Sequence, residues 1–387
     1  MKMLKKGLLL VIILGIFSIA PLDACAPKVA PIQSTPSPQV VPTPPPTPTS
    51  NISLPTSQDA WSKVIQAAKK EGKVNVYSYN MVGDIGIAVT KAFEQKYGID
   101  VEIITGMGAA LTERVLTEQR MKTVVADITD SNSFQAGNIK DAGGTISSQE
   151  LPVLQQSGVW RVDPWASDPE KHIIVHTLVY MASFINTDVV KASDEPKSFR
   201  ELGQPKWKGK VVEIDPRITS GASNFFTTLF KRKLIDEESI RAIGMNNVNY
   251  VSITQEATTG LIQGRYSILM MVSPGTLTPA LKEAGVLPIK PLPLEEGTLV
   301  TNRSMTAIKG GPHPNATRLF MDWLLTQEGQ TVFLKAASLP PVRNDVPDYT
   351  PNSLRITPVK AIAPTLEEER ENLRLFREGW LAKLWNR

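Results

Sequence analysis

The chain has 387 residues, 42% of them hydrophobic, with 42 Lys and Arg against 38 Asp and Glu. A net charge of +4 over that length excludes an electrostatic case for nucleic acid or for a strongly acidic partner. A single cysteine excludes an intramolecular disulfide, and three histidines leave few members for a nucleophilic triad.

The chain opens as a leader. Lys2, Lys5 and Lys6 precede an apolar run over residues 8–20, shorter than the roughly 20 residues of a membrane span. Basic start, short apolar stretch and small residue before a cut site are the parts of a secretory signal. Leu22-Asp23-Ala24-Cys25 resembles a bacterial lipobox, in which a peptidase cuts before a cysteine whose thiol carries diacylglycerol. Residues 1–24 are therefore read as a lipoprotein signal peptide and Cys25 as the lipidation site, an anchor facing outside the cytoplasm. One acyl chain binds a membrane only marginally, whereas two or three hold firmly. Residues 26–56 are dominated by Pro, Thr, Ser and Val, with Pro44, Pro45 and Pro46 in sequence. Lacking amide donors, such a stretch favours polyproline II and, with Cys25, makes residues 25–57 a semi-rigid tether.

The globular part begins at Ser57, which can cap a helix whose Trp61, Val64, Ile65 and Ala68 share one face before Gly72 ends it. Residues 73–79 read as a strand, 85–97 as a helix, 101–105 as a strand, 111–121 as a helix and 124–128 as a third strand ending at Thr129-Asp130-Ser131. That alternation predicts a parallel α/β sheet. Residues 173–184 and 211–214 predict further strands, and Thr219-Ser220-Gly221-Ala222 opens a helix. A helix over 254–261 and a strand over 266–272 ending at Ser273 follow, so two α/β units around a cleft are expected. At the C-terminus, acidic residues Glu367, Glu368 and Glu369 precede Arg374, Arg377 and Lys383, complementing a helix dipole. Leu366, Leu373, Phe376, Trp380 and Leu384 form one apolar stripe, expected to pack on a lobe. The domain division expected is 58–177 for lobe 1, 178–272 for lobe 2, 273–345 returning to lobe 1, and 346–387 as a C-terminal helical segment.

In parallel sheets, ligands sit beyond the carboxyl ends of the strands, near helix N-termini. The polar residues expected there are Ser78, Tyr79, Asn80, Gly108, Ala109, Ser131, Asn132, Thr219, Ser220, Gly221 and Ser273, with Tyr180 on a strand between lobes. Arg217 is a candidate cation. No Gly-x-Ser-x-Gly elbow, phosphate loop or His-Glu-x-x-His pair occurs. A hydrolase would have to rely on carboxylates, Asp130 and Asp215 first.

Several runs together carry a family likeness: WSKVIQAAKKEGKVNVYSY over 61–79, FEQKYGIDV over 93–101, WKGKVV over 207–212, Asp215-Pro216, GGPHPNA over 310–316 and FMDWLL over 320–325. They resemble extracellular solute-binding proteins of the ferric-iron-binding type. The resemblance implies a two-lobed, Venus-flytrap fold of the type II periplasmic-binding class that hands a small solute to an ATP-driven permease. It also implies where iron ligands would stand: near Asn80 and Met81, near Ser131 and Asn132, and near Val272 and Ser273. None of those is the hard anionic oxygen donor that Fe(III) requires. Metal binding through side chains is therefore not expected, nor any cofactor. A monomer carrying a small anionic or oxygen-rich organic solute is the expectation, with ferric or chelated iron as the alternative.

Overall fold

Local preference is visible in the first elements. The helix Ser57–Glu71 ends at Gly72, where φ is +70°, and the alternation of KVNVYS then gives a strand. The computed structural model describes residues 57–218 and 221–386. The leader, Cys25 and the tether, together with Thr219 and Ser220, lie outside the described residues.

The strands are β1 (Lys73–Ser78), β2 (Asp100–Thr105), β3 (Ile128–Ser131), β4 (Thr145–Ile146), β5 (Ile174–Asn186), β6 (Val211–Ile214), β7 (Asn249–Val251), β8 (Ile268–Val272), β9 (Ile289–Leu292), β10 (Thr298–Ile308) and β11 (Ala361–Ile362). They follow the order β2-β1-β3-β10-β5-β8-β6-β7, with β4 and β11 on β10 and β9 on β5. β1 pairs in parallel with β2 and β3, and β6 with β7 and β8. Parallel strands must be covered on both faces, and five of the six residues of β1 are buried.

Two long strands join the halves. The first part of β5, as far as Met181, runs antiparallel to β10. From Ala182 onward β5 pairs instead with β8 and β9. β10 lies between β3 and β5, and its register shifts between Arg303 and Ser304. β9 and β8 share the second half of β5, so residues 268–292 run beside that half of the sheet.

Each half has its own core. In the first, the carboxylate of Glu71 accepts the amides of Asn315 (3.0 Å) and Ala316 (2.7 Å), capping the helix Pro314–Leu325. Phe93 packs its ring 5.1 Å from Phe320 and 5.3 Å from Trp323. In the second, Phe199, Phe225 and Phe226 cluster at centroid distances of 5.0 to 5.5 Å.

The C-terminal stripe forms two helices, not one. Leu366–Arg377 starts with a capping box, Glu368 N–H donating to Thr365 Oγ1 and Thr365 N–H to Glu368 Oε2. Gly379, at φ +70°, breaks it before Trp380–Leu384. Leu366 rests on Gly137 of the first half, while Asn372 Nδ2 donates to Thr228 Oγ1 (2.9 Å) of the second. Trp385 Nε1 donates to the Ile240 carbonyl, and its ring fills the space over Gly244, where a Cβ would come within 2.0 Å.

Candidate functional site

β1 and β3 end side by side, and their last residues build one buried network, from which only His176 Nδ1 is left without a partner. Ser78 Oγ donates to Asp130 Oδ2 (2.6 Å) and accepts the amides of Asn80 (3.0 Å) and Met81 (2.7 Å). Asn80 Nδ2 donates to Asp130 Oδ1 (2.8 Å), and His176 Nε2 meets the same oxygen at 2.8 Å. Asp130 and His176 have no solvent exposure, and the imidazole packs edge-on against Phe333. Burial alone would raise the Asp130 carboxyl, but His176, Ser78 and Asn80 together hold it below its ordinary value. Both Asp130 oxygens thus accept hydrogen bonds inside the fold, an arrangement that favours the carboxylate.

Ser78, Asn80 and Ser131 are buried in or beside that network, while Tyr79 is 47% exposed at the rim. Asn132 caps the helix Ser133–Asp141 by accepting the Gln135 amide (2.9 Å). Gly108 and Ala109 open the neighbouring helix Gly108–Met121, where a Cβ on Gly108 would lie 3.4 Å from Gln135. The two helix starts are joined by Thr112 Oγ1, which donates to Gln135 Oε1 (2.9 Å).

The floor between the halves is formed where β5 faces β10. Val300 stands opposite Tyr180, Asn302 opposite Leu178 and Arg303 opposite Thr177. Asn302 Oδ1 accepts from Ser133 Oγ (2.6 Å) and Ser304 Oγ (2.9 Å). Tyr180 is half-buried; burial raises its phenol, with Arg161 opposing. Arg303 is also only partly exposed. Burial lowers its guanidinium, while the charges it senses are those of Asp130 and Tyr79. Among the described residues, no hydrogen bond or ion pair engages it.

In the second half, β6 leads into Asp215, whose carboxylate takes Arg217 Nε at 3.0 and 3.1 Å and also holds the Arg217 Nη2. The cation singled out from the sequence is thus already paired. Gly221 opens the helix Gly221–Lys231, and its expected companions Thr219 and Ser220 are outside the described residues. Ser273 follows β8, its carbonyl accepting from Thr276 Oγ1 (2.7 Å). Pro274 lies with Tyr180, Leu339 and Pro340 around a small recess.

The other histidines are also engaged locally: His172 Nδ1 with Thr145 Oγ1 (2.7 Å), His313 Nδ1 with Asp127 Oδ2 (2.7 Å). Among the described residues no group of three His, Cys, Asp or Glu side chains could hold a metal ion, and no helix is long and apolar enough to cross a membrane.

Residues 123–361, more than half of the chain, match the family described as bacterial extracellular solute-binding protein. The chain belongs to that family. Solved structures share its two-lobed architecture. Iron-bound HitA from Pseudomonas aeruginosa superposes with a TM-score of 0.62 at 21% identity, covering 79% of this chain and 98% of HitA. The Trichodesmium protein FutA, in complex with iron and citrate, gives 0.63 at 19%, covering 81% and 98%. AfuA from Actinobacillus pleuropneumoniae, with fructose-6-phosphate bound, gives 0.59 at 17%, covering 79% and 98%. As a member of that family, the chain is an extracellular solute-binding protein. The resemblance read from dispersed motifs and the flytrap fold both hold.

Sequence reasoning passed over Arg303 because it belongs to none of those motifs. The available signal was a lone cation inside the run TLVTNRSMTAI.

Proposed function

We propose that this protein is a membrane-anchored carrier, lipidated at Cys25 and extended on its Pro-rich tether. It captures a small anionic or oxygen-rich organic solute between its lobes and delivers it to an ABC permease. The lobes divide within β5 and β10: Met181 is the last β5 residue on β10, and Ala182 the first on β8. On that division, residues 273–297 stay with the second lobe rather than returning to the first.

The observation that carries the solute class is the state of Asp130. It lies within β3 where β1 and β3 end, and both its oxygens accept from Ser78, Asn80 and His176. What remains around it are donors without negative charge: Tyr79, the Asn132 side-chain amide, the amides that open the helix Gly108–Met121 and the Arg303 guanidinium. Such a set suits acceptor oxygens on a solute and does not supply the anionic ligands of a bare ferric ion. A second reading has a specific basis in FutA, which holds iron together with citrate. A chelated metal would reach this site through its anion.

Native mass spectrometry of the chain purified from its own membranes tests both parts. The expected result is an N-terminus at a diacylglyceryl-Cys25 and a co-purifying organic ion, with Cys25→Ser released from the membrane. Iron bound at one equivalent with no accompanying anion would overturn the solute class. An unprocessed N-terminus would overturn the anchor.

A further inference from the structure

We propose that Arg303 is the residue that recognises the solute, taking an oxyanion head group, carboxylate or phosphate-like, on its guanidinium fork. This rests on the solute-binding reading above and narrows it to solutes that carry such a group.

Three observations converge. Arg303 sits on β10 one residue beyond Ser304, which stands opposite Ser131 at the carboxyl end of β3. It therefore lies where a family of parallel-sheet proteins places ligands. Opposite it the register slips, Arg303 facing Thr177 and Ser304 facing Val175, so the extra residue is His176 of β5, which lies on Asp130 and leaves that carboxylate engaged. Finally, the guanidinium is partly buried yet has no partner among the described residues.

The neighbouring carboxylate does not claim it. Asp130 is close enough for its charge to be felt, but its oxygens already accept from Ser78 Oγ (2.6 Å), Asn80 Nδ2 (2.8 Å) and His176 Nε2 (2.8 Å). His176 takes the role that would otherwise fall to arginine. Of the other arginines near the floor and strand ends, Arg217 is held by Asp215 and Arg161, whose charge reaches Tyr180, is exposed. A partly buried guanidinium without a hydrogen-bonded counter-charge is costly, and proteins pair such groups. Arg303 is left with donors in a planar fork, the geometry that matches a carboxylate or phosphate through two parallel hydrogen bonds. The Tyr79 phenol, exposed at the rim and within electrostatic reach, adds a neutral donor beside it.

The test is a calorimetric titration of the purified domain with inorganic phosphate, methylphosphonate, citrate and fructose-6-phosphate, set against glucose and glycerol as neutral probes. The expected result is that at least one oxyanion binds while the neutral probes do not. Arg303→Gln is expected to weaken that binding about 30-fold or more, since truncating one side of a buried charged pair costs at least about 2 kcal/mol. Arg303→Lys should retain part of it. Because Arg303→Gln could unfold the hinge, a second measurement uses the wild-type chain: phenylglyoxal modification of Arg303, read by peptide mass spectrometry, should be suppressed by the binding anion. Oxyanion binding that is unchanged in Arg303→Gln, with Arg303 still modified at saturation, overturns the proposal and leaves the solute-binding reading intact. Binding of a neutral probe alone does the same. Absence of any bound solute, both in this panel and in protein from the native host, overturns the reading on which the proposal rests.

Discussion

Asp130 and Glu213 occupy comparable places in the two lobes, and their fates are opposite. Each lies on an inner strand, β3 or β6, and each is essentially without solvent exposure. Asp130 has two side-chain donors and an imidazole, and its carboxyl is held low. Glu213 has one donor, the amide of Ile214 at 2.9 Å, and its second oxygen has no partner. Burial therefore pushes its carboxyl well above the ordinary range. Depth sets the cost of a charge; the donors around it decide whether the charge survives.

The comparison can be broken most forcefully at Asp130. Asp130→Ala leaves His176, Ser78 and Asn80 without their acceptor, and should cost about 3–5 kcal/mol in urea unfolding. A loss below about 1 kcal/mol would show that the network does not depend on its anion. The wild-type contribution is complete above the ordinary value of 3.8 and disappears as pH falls through the lower folded value. The acid limb of stability should accordingly flatten in the variant.

Glu213 should move the other way. A carboxyl raised on folding stabilises fully below its ordinary value of 4.5, and that support drains away as pH rises towards the folded value. The slope is about 1.4 kcal/mol per pH unit. Glu213→Gln should therefore be more stable than wild type at pH 8, by an amount that shrinks towards pH 4, in thermal melts across pH. If the two proteins melt alike at pH 8, Glu213 has found a partner or solvent.

Asp322 sharpens the rule as an intermediate case. It accepts the Val153 amide (2.8 Å), and burial pushes it up to about 6. Asp322 is less deeply buried than Glu213, so Asp322→Asn should gain less than Glu213→Gln, the gain building as pH rises from 3.8 and complete above about 6. Arg217→Ala should give the smallest effect. Its guanidinium is exposed beside Asp215, and exposed pairs contribute little; no shift in melting temperature should be resolved.

The fold was legible where period and punctuation agreed. Residues 73–79, 85–97 and 211–214 match β1, the helix Asp84–Tyr97 and β6 closely. The third strand was expected over 124–128 but begins at Ile128. Glu118 Oε2 accepts the amides of Val125 (3.0 Å) and Ala126 (3.3 Å), which keeps them out of the ladder. No local pattern announces a carboxylate from the preceding helix. β10 was not anticipated at all, because it borders β3, β4, β5 and β11 at different points and so lacks a single buried face. The candidate site suffers from the same blindness. Polar residues at strand ends were legible, but Ser78 and Asn80 bond to a residue some fifty positions away, and only the tertiary arrangement separates such inward-facing groups from an unpaired Arg303.

The position of β10 between β3 and β5 bears on how the chain folds as it is made. The first lobe's sheet cannot close until residue 308 has emerged, and the helix Pro314–Leu325 that covers it comes later still. Pairings of such long sequence separation are slow to form. In a nascent chain built this way the first lobe stays open along its synthesis and completes its sheet only after the late segments have joined the early ones.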